Sequence, residues 1–137
     1  MNNISKSANP LMGRIVALAK RAHGRYEAKK KPDFKYDWEV EKKADNEMSA
    51  ELEAIDQAAG KGLVPGRALC FGVADGTANY LVTAVRKRDV VVEWIPMGDN
   101  YFSMAVGLSP DKTRWVVNRH TAEMCCGLEN LICGNKA

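Results

Sequence analysis

Apolar residues recur at two different periods along this chain, and the change of period divides it. In the first sixty residues the spacing is helical. Leu11, Ile15, Leu18, Ala19 and Ala22 fall on one face of a helix that Ser7 or Asn9 can cap and Pro10 can open, with Gly24 as the expected stop. A second stripe, Met48, Leu52, Ile55 and Ala59, runs through ADNEMSAELEAIDQAAGKG (44–62), which Gly60 and Gly62 end. Between them, RYEAKKKPDFKYDWE mixes charge with aromatics, and Pro32 breaks any continuous helix, so EAKKKPDFKYD reads as a linker.

From Pro65 onward the period is two. GRALCFGVA places Leu69, Phe71 and Val73 on one face, and Asp75-Gly76 is a hairpin turn signal. NYLVTAV alternates Tyr80, Val82 and Ala84 with Leu81, Thr83 and Val85. After the charged tip RKRD (86–89) come VVVEWI, then YFSMAVG (101–107), the turn SPDKT, and RWVVN (114–118). A last helix starts after Asn118, with Met124, Leu128, Leu131 and Ile132 as its stripe. Short strands joined by tight turns predict an α+β chain. Residues 1–62 form a helical region of basic helix, linker and acidic helix. Residues 63–137 form a five-stranded antiparallel small barrel closed by a short C-terminal helix, and the two regions make one compact unit.

The run Gly66 to Val106, GRALCFGVADGTANYLVTAVRKRDVVVEWIPMGDNYFSMAV, resembles an SH3-like barrel of the Tudor or KOW type. The shared features are a strand after a glycine, an Asp-Gly turn, a Tyr-containing second strand, a Val-rich third strand ending in an aromatic, and a Gly-Asp-x-Tyr turn. The resemblance covers about a third of the chain and holds at superfamily level. It implies binding rather than catalysis: such barrels recognise peptides, modified side chains or nucleic acid. An aromatic cage would draw on Phe71, Tyr80, Trp94, Tyr101 and Phe102.

Charge changes the picture more through its distribution than through its net value of +3. Residues 1–36 hold nine Lys and Arg against Glu27 and Asp33, and residues 37–62 hold eight acids against three lysines. A basic arm is followed by an acidic segment, and opposite charge favours docking the two helices on each other. Of the candidate bases, His23 rides the basic helix and His120 opens the last one. No nucleophile elbow, P-loop, dinucleotide or zinc-protease motif accompanies them. Cys70 lies in a strand, while Cys125, Cys126 and Cys133 lack the spacing of a disulfide framework or a zinc site. The expectation is a non-enzymatic protein with no catalytic residue, metal or cofactor. No apolar run approaches a membrane span and no secretory signal is recognisable, so the chain reads as cytoplasmic.

Two functional readings follow. In the first the chain is an adaptor for a protein partner or a second copy of itself. Both faces of the strands are apolar and a small barrel fills its interior with one, so Tyr80, Leu81, Trp94 and Tyr101 are candidate partner contacts. In the second it is an accessory nucleic-acid-binding module. Lys20, Arg21, Arg25, Lys29, Lys30 and Lys31, with Arg86, Lys87 and Arg88 at the hairpin tip, would meet phosphate, and Tyr26, Phe34 and Tyr36 would stack on bases. The bland account of RKRD is a turn that faces water.

Overall fold

The computed structural model describes residues 9–73, 76–97 and 114–126. Helix α1 spans Leu11–Lys29, and the Asn9 side chain accepts from Leu11 N–H at 3.1 Å. Ile15, Leu18, Ala19, Ala22 and Tyr26 are its buried face. Gly24 does not stop it. A glycine inside a helix costs about 1 kcal/mol, but the turn beyond it docks Tyr26 edge-on against Trp94 with ring centroids 5.1 Å apart. The helix ends two residues before the lysine that precedes Pro32.

Helix α2 spans Trp38–Ala59 and begins six residues earlier than its apolar stripe implies. Asp37 caps it, accepting from Glu39 and Val40 N–H at 3.1 and 3.3 Å, and Glu39 and Glu41 lie in its first turn where the helix dipole favours negative charge. Ala44, Met48, Leu52 and Ile55 are buried, and Gly60 ends the helix at φ +92°.

Four strands follow: β1 (Ala68–Val73), β2 (Gly76–Val85), β3 (Asp89–Trp94) and β4 (Arg114–Asn118). They form one antiparallel sheet in the order β1-β2-β3-β4. Val73 lies opposite Gly76, while Asp75 of the expected turn falls outside the described residues. The last expected strand, RWVVN, is β4. The expected run at 101–107 lies outside the described residues, so four strands of the five are observed.

Strict alternation fails once within β2. Val82 faces Val92 but Ala84 faces Val91, so Thr83 is the extra residue of a β-bulge. Its consequence is a change of phase. Val85 rather than Ala84 joins the face of Tyr80 and Val82.

Each face of the sheet packs a core against other elements of this chain. On one, Leu69, Tyr80, Val82, Val90, Val92, Trp94, Trp115 and Val117 form a core completed by Tyr26 and by helix α3 through Ala122 and Cys126. Trp115 stands edge-on to both Tyr80 and Trp94, at 6.0 and 6.4 Å. On the other, Ala68, Cys70, Leu81 and Ile95 meet the joint stripe of α1 and α2. Each fully buried aliphatic side chain contributes about 1.5–3 kcal/mol.

Helix α3 spans Arg119–Cys125 and is capped by Asn118, whose side chain accepts from His120 N–H at 2.9 Å. It ends before Cys126, which is extended and pairs with Leu69, bringing the chain to the free side of β1. Met124, expected in the stripe, is exposed because Ala122 and Cys126 face the core instead. Leu128, Leu131 and Ile132 lie outside the described residues. No helix among the described residues is long and apolar enough to cross a membrane.

Gly66 fixes the junction of helices and sheet. Its φ is +99°, and a Cβ there would meet Leu11 Cδ1 at 2.8 Å and Ala59 Cβ at 2.9 Å. Only glycine combines that backbone with that approach. Beside it, Asp56 of α2 accepts from Ala68 N–H at 2.8 Å and pairs with Arg67 at 3.2 Å, both side chains being buried.

Candidate functional site

The basic arm expected to meet phosphate is folded against the acidic helix. Arg14 pairs with Glu51 at 2.9 Å, Arg21 with Glu47 at 2.6 Å, and both Arg25 and Lys29 with the buried carboxylate of Glu41. Burial alone would push the Glu41 carboxyl upward, but hydrogen bonds and charge from Arg25 and Lys29 outweigh it and hold the group below the usual carboxylate value. Lys30 pairs with Glu27 at 3.4 Å and stands 4.5 Å from the centre of the Tyr26 ring. Four cations of the proposed set are therefore spent on carboxylates of this chain, and of the arm's candidates Lys20 and Lys31 have no acidic partner among the described residues. Tyr26, one of the expected stacking rings, is core.

The expected partner contacts are displaced for a different reason. Tyr80, Leu81 and Trp94 have at most 1% of their surface exposed, so they fill the two cores and offer no face to a partner. Tyr101 lies outside the described residues. Burial pushes the Tyr80 phenol up to about 12.

What remains open is a strip of the sheet face that the helices only half cover. Helices α1 and α2 close that face over Ala68, Cys70 and Leu81, yet on β3 and β4 the cross-strand pair Val91 and Val116 is left, with Val116 51% exposed. Alternation puts Glu93 and Arg114, two residues along, on the same face. There a groove of about 310 Å³ separates the sheet from α1, lined by Val16, Ala19, Lys20, His23, Glu93 and Arg114. Val16 is 46% exposed at its rim.

The groove's polar groups are unevenly committed. His23 Nε2–H donates to the Trp94 carbonyl at 2.9 Å, and its ring stands edge-on to the indole at 5.3 Å, which ties α1 to the end of β3. Glu93 is buried and reaches Arg114 at 3.4 Å, while the Arg114 side chain is 69% exposed and Lys20 is exposed with no carboxylate partner among the described residues.

At the other end of the strip is the hairpin tip. Arg86 N–H donates to the Asp89 carbonyl at 2.8 Å and its guanidinium pairs with the Asp89 carboxylate, which closes the turn. Arg119 N–H donates to the Arg88 carbonyl at 3.0 Å and its guanidinium to the Arg86 carbonyl at 3.1 Å, so the start of α3 holds the tip in place. Lys87 and Arg88 are exposed and have no carboxylate partner among the described residues.

A second exposed patch, Tyr36, Trp38 and Val40, runs from the end of the segment read as linker into the first turn of α2. The groove beside Trp38, about 480 Å³, is lined by Lys42 and Lys43 but also by Glu39 and Glu47, and Lys42 stands 4.6 Å from the centre of the Trp38 ring. Its charges are balanced locally and its one large ring already has a cation, so it makes the weaker site. Compared with protein-family models, curated proteins and solved structures, the chain matches none.

Proposed function

We propose that this chain is a non-enzymatic protein-binding module, an adaptor that docks a partner protein or a second copy of itself. The docking surface in this reading is the β3–β4 strip with the groove beside α1. The observation that carries it is the half-covered sheet face: Val91, Val116 and Val16 keep apolar surface in water beside a sheet whose Ala68, Cys70, Leu81, Val90, Val92 and Val117 are covered by this chain's own elements. The five-stranded SH3-like closure belongs to the same reading. It is supported by the meander order of the strands and by the Leu69–Cys126 bridge at the free side of β1.

The test is Val116→Asp. Sedimentation velocity over a hundredfold range of concentration reads self-association, and affinity capture followed by reconstitution with the purified captured protein reads a heterologous partner. An assembly formed by the wild type and lost in V116D, with the variant's fold unchanged by circular dichroism, supports the reading. Assemblies indifferent to the charge at position 116 sink it.

A further inference from the structure

We infer that the strip is built for an acidic protein segment with an apolar centre. This names the partner's chemistry and rests on the docking reading above. The strip has a fixed order of chemistry along β4. Arg114, with Lys20 across the groove, stands at one end, Val116 with Val91 in the middle, and Asn118 leads to Arg119 and the tip residues Lys87 and Arg88 at the other. Four steps of extended strand lead from Arg114 to Asn118, a rise of about 13 Å, and Arg119 with the basic tip lies one step beyond, so the two basic ends lie about 17 Å apart.

Charge decides between occupants. Elsewhere on α1 the cations face carboxylates of α2, whereas Lys20, Lys87 and Arg88 are left without one among the described residues and Arg114 has a single 3.4 Å contact. Among the described residues the carboxylates along the strip are Glu93, under Arg114, Asp89, held by Arg86, and Glu123, 3.5 Å from Arg119. A segment spanning about 17 Å as extended chain needs about five residues, with aliphatic side chains over Val91 and Val116 and carboxylates at both ends. Nucleic acid fits the strip poorly. Its centre is aliphatic, and among the described residues the exposed aromatics Tyr36 and Trp38 lie just before and at the start of α2 rather than on this surface.

The probes are four fluorescein-labelled peptides or oligonucleotides titrated against the full chain by anisotropy at 50 and 300 mM salt. They are Glu-Glu-Leu-Val-Leu-Glu-Glu, the same peptide with Gln for every Glu, the acidic peptide with Gly-Ser-Gly at its centre, and a ten-nucleotide single-stranded DNA. The first should bind best. Exposed ion pairs are individually weak and act here as a group, so the Gln peptide should bind about tenfold more weakly, and salt should remove most of that difference. Lys20→Glu with Arg114→Glu, or Lys87→Glu with Arg88→Glu, should each cost severalfold for the acidic peptide and nothing for the Gln one. V116D should weaken both. These tip and groove side chains are exposed, so at least one charge variant keeps the fold.

Equal binding of the Glu and Gln peptides, with both sensitive to V116D, would overturn the acidic inference while leaving the docking surface standing. Failure of the acidic peptide to bind, or binding indifferent to both charge variants, would overturn it as well. DNA that binds more tightly than the peptide and is lost with the same charge variants would reassign the strip to nucleic acid.

Discussion

Asp56→Ala should destabilise the protein more than any substitution on the candidate surface. The carboxylate joins α2 to the sheet: it accepts from Ala68 N–H at 2.8 Å and faces the Arg67 guanidinium at 3.2 Å, with both side chains less than one-tenth exposed. Truncation takes a carboxylate away from a buried cation and an acceptor away from a backbone donor, although Arg67 keeps its hydrogen bond to the Gly60 carbonyl. Breaking one side of a buried pair costs about 3–5 kcal/mol. With an m-value of about 2 kcal/mol/M, a loss of about 4 kcal/mol moves the urea midpoint down by about 2 M, and in a chain of this size lowers Tm by about 8–16 °C. Removing both partners in Asp56→Ala with Arg67→Met should restore at least half of the loss, because the buried cation goes with its carboxylate. Chemical denaturation followed by tryptophan fluorescence reads all three proteins. A single variant within about 0.3 M of the wild-type midpoint, or a double variant less stable than the single one, would refute this account of the helix–sheet junction.

Gly66→Ala should cost stability on two counts, positive φ and contacts under 3 Å with Leu11 and Ala59, and an unchanged melting temperature would count against the junction's geometry. Glu47 and Glu51 are held below the usual value of 4.5, chiefly by hydrogen bonds from Arg21 and Arg14, and Glu41 is lowered by Arg25 and Lys29 against the effect of burial. A carboxyl whose folded pKa lies below its unfolded one stabilises fully above 4.5, and that contribution is lost as pH falls through the lowered values. Thermal melts from pH 7 to 3 should therefore drop below pH 4.5, and Glu47→Gln with Glu51→Gln should flatten that drop. An identical slope in the double variant would show that the α1–α2 ion pairs do not couple to folding. Trp94→Asp and Leu81→Asp should unfold the sheet, read as loss of near-ultraviolet dichroism. A folded variant with only binding lost would return those residues to a surface role.

The order of elements was legible because periodicity reports on burial, and here burial is regular. Ile15, Leu18, Ala19 and Ala22 on α1, Met48, Leu52 and Ile55 on α2, and the caps Asn9 and Asn118 all follow from spacing and turn chemistry. Each miss has a local cause. Gly24 is a weak stop when Tyr26 beyond it gains a tryptophan to pack on. The first turn of α2 is polar and aromatic rather than apolar, so nothing but its Asp37 cap marked it. The bulge at Thr83 leaves no trace in an alternating run. The candidate surface was harder to read for a reason that concerns charge in general. A lysine in sequence has no sign of its partner, and Arg21, Arg25 and Lys29 look the same as Lys20 until α2 lies beside α1. Apolar strand residues are equally ambiguous, because Val116 and Val117 differ only in which face they occupy, yet one is half exposed and the other is core. The tip RKRD shows both effects at once: Arg86 and Asp89 close a turn, Arg88 lends its carbonyl to α3, and what the surface retains is the pair of side chains those structural tasks do not use, Lys87 and Arg88. A binding surface on a chain of this kind is therefore the residue left after folding has drawn on its charges and its apolar positions, and it becomes visible only once those internal claims have been assigned.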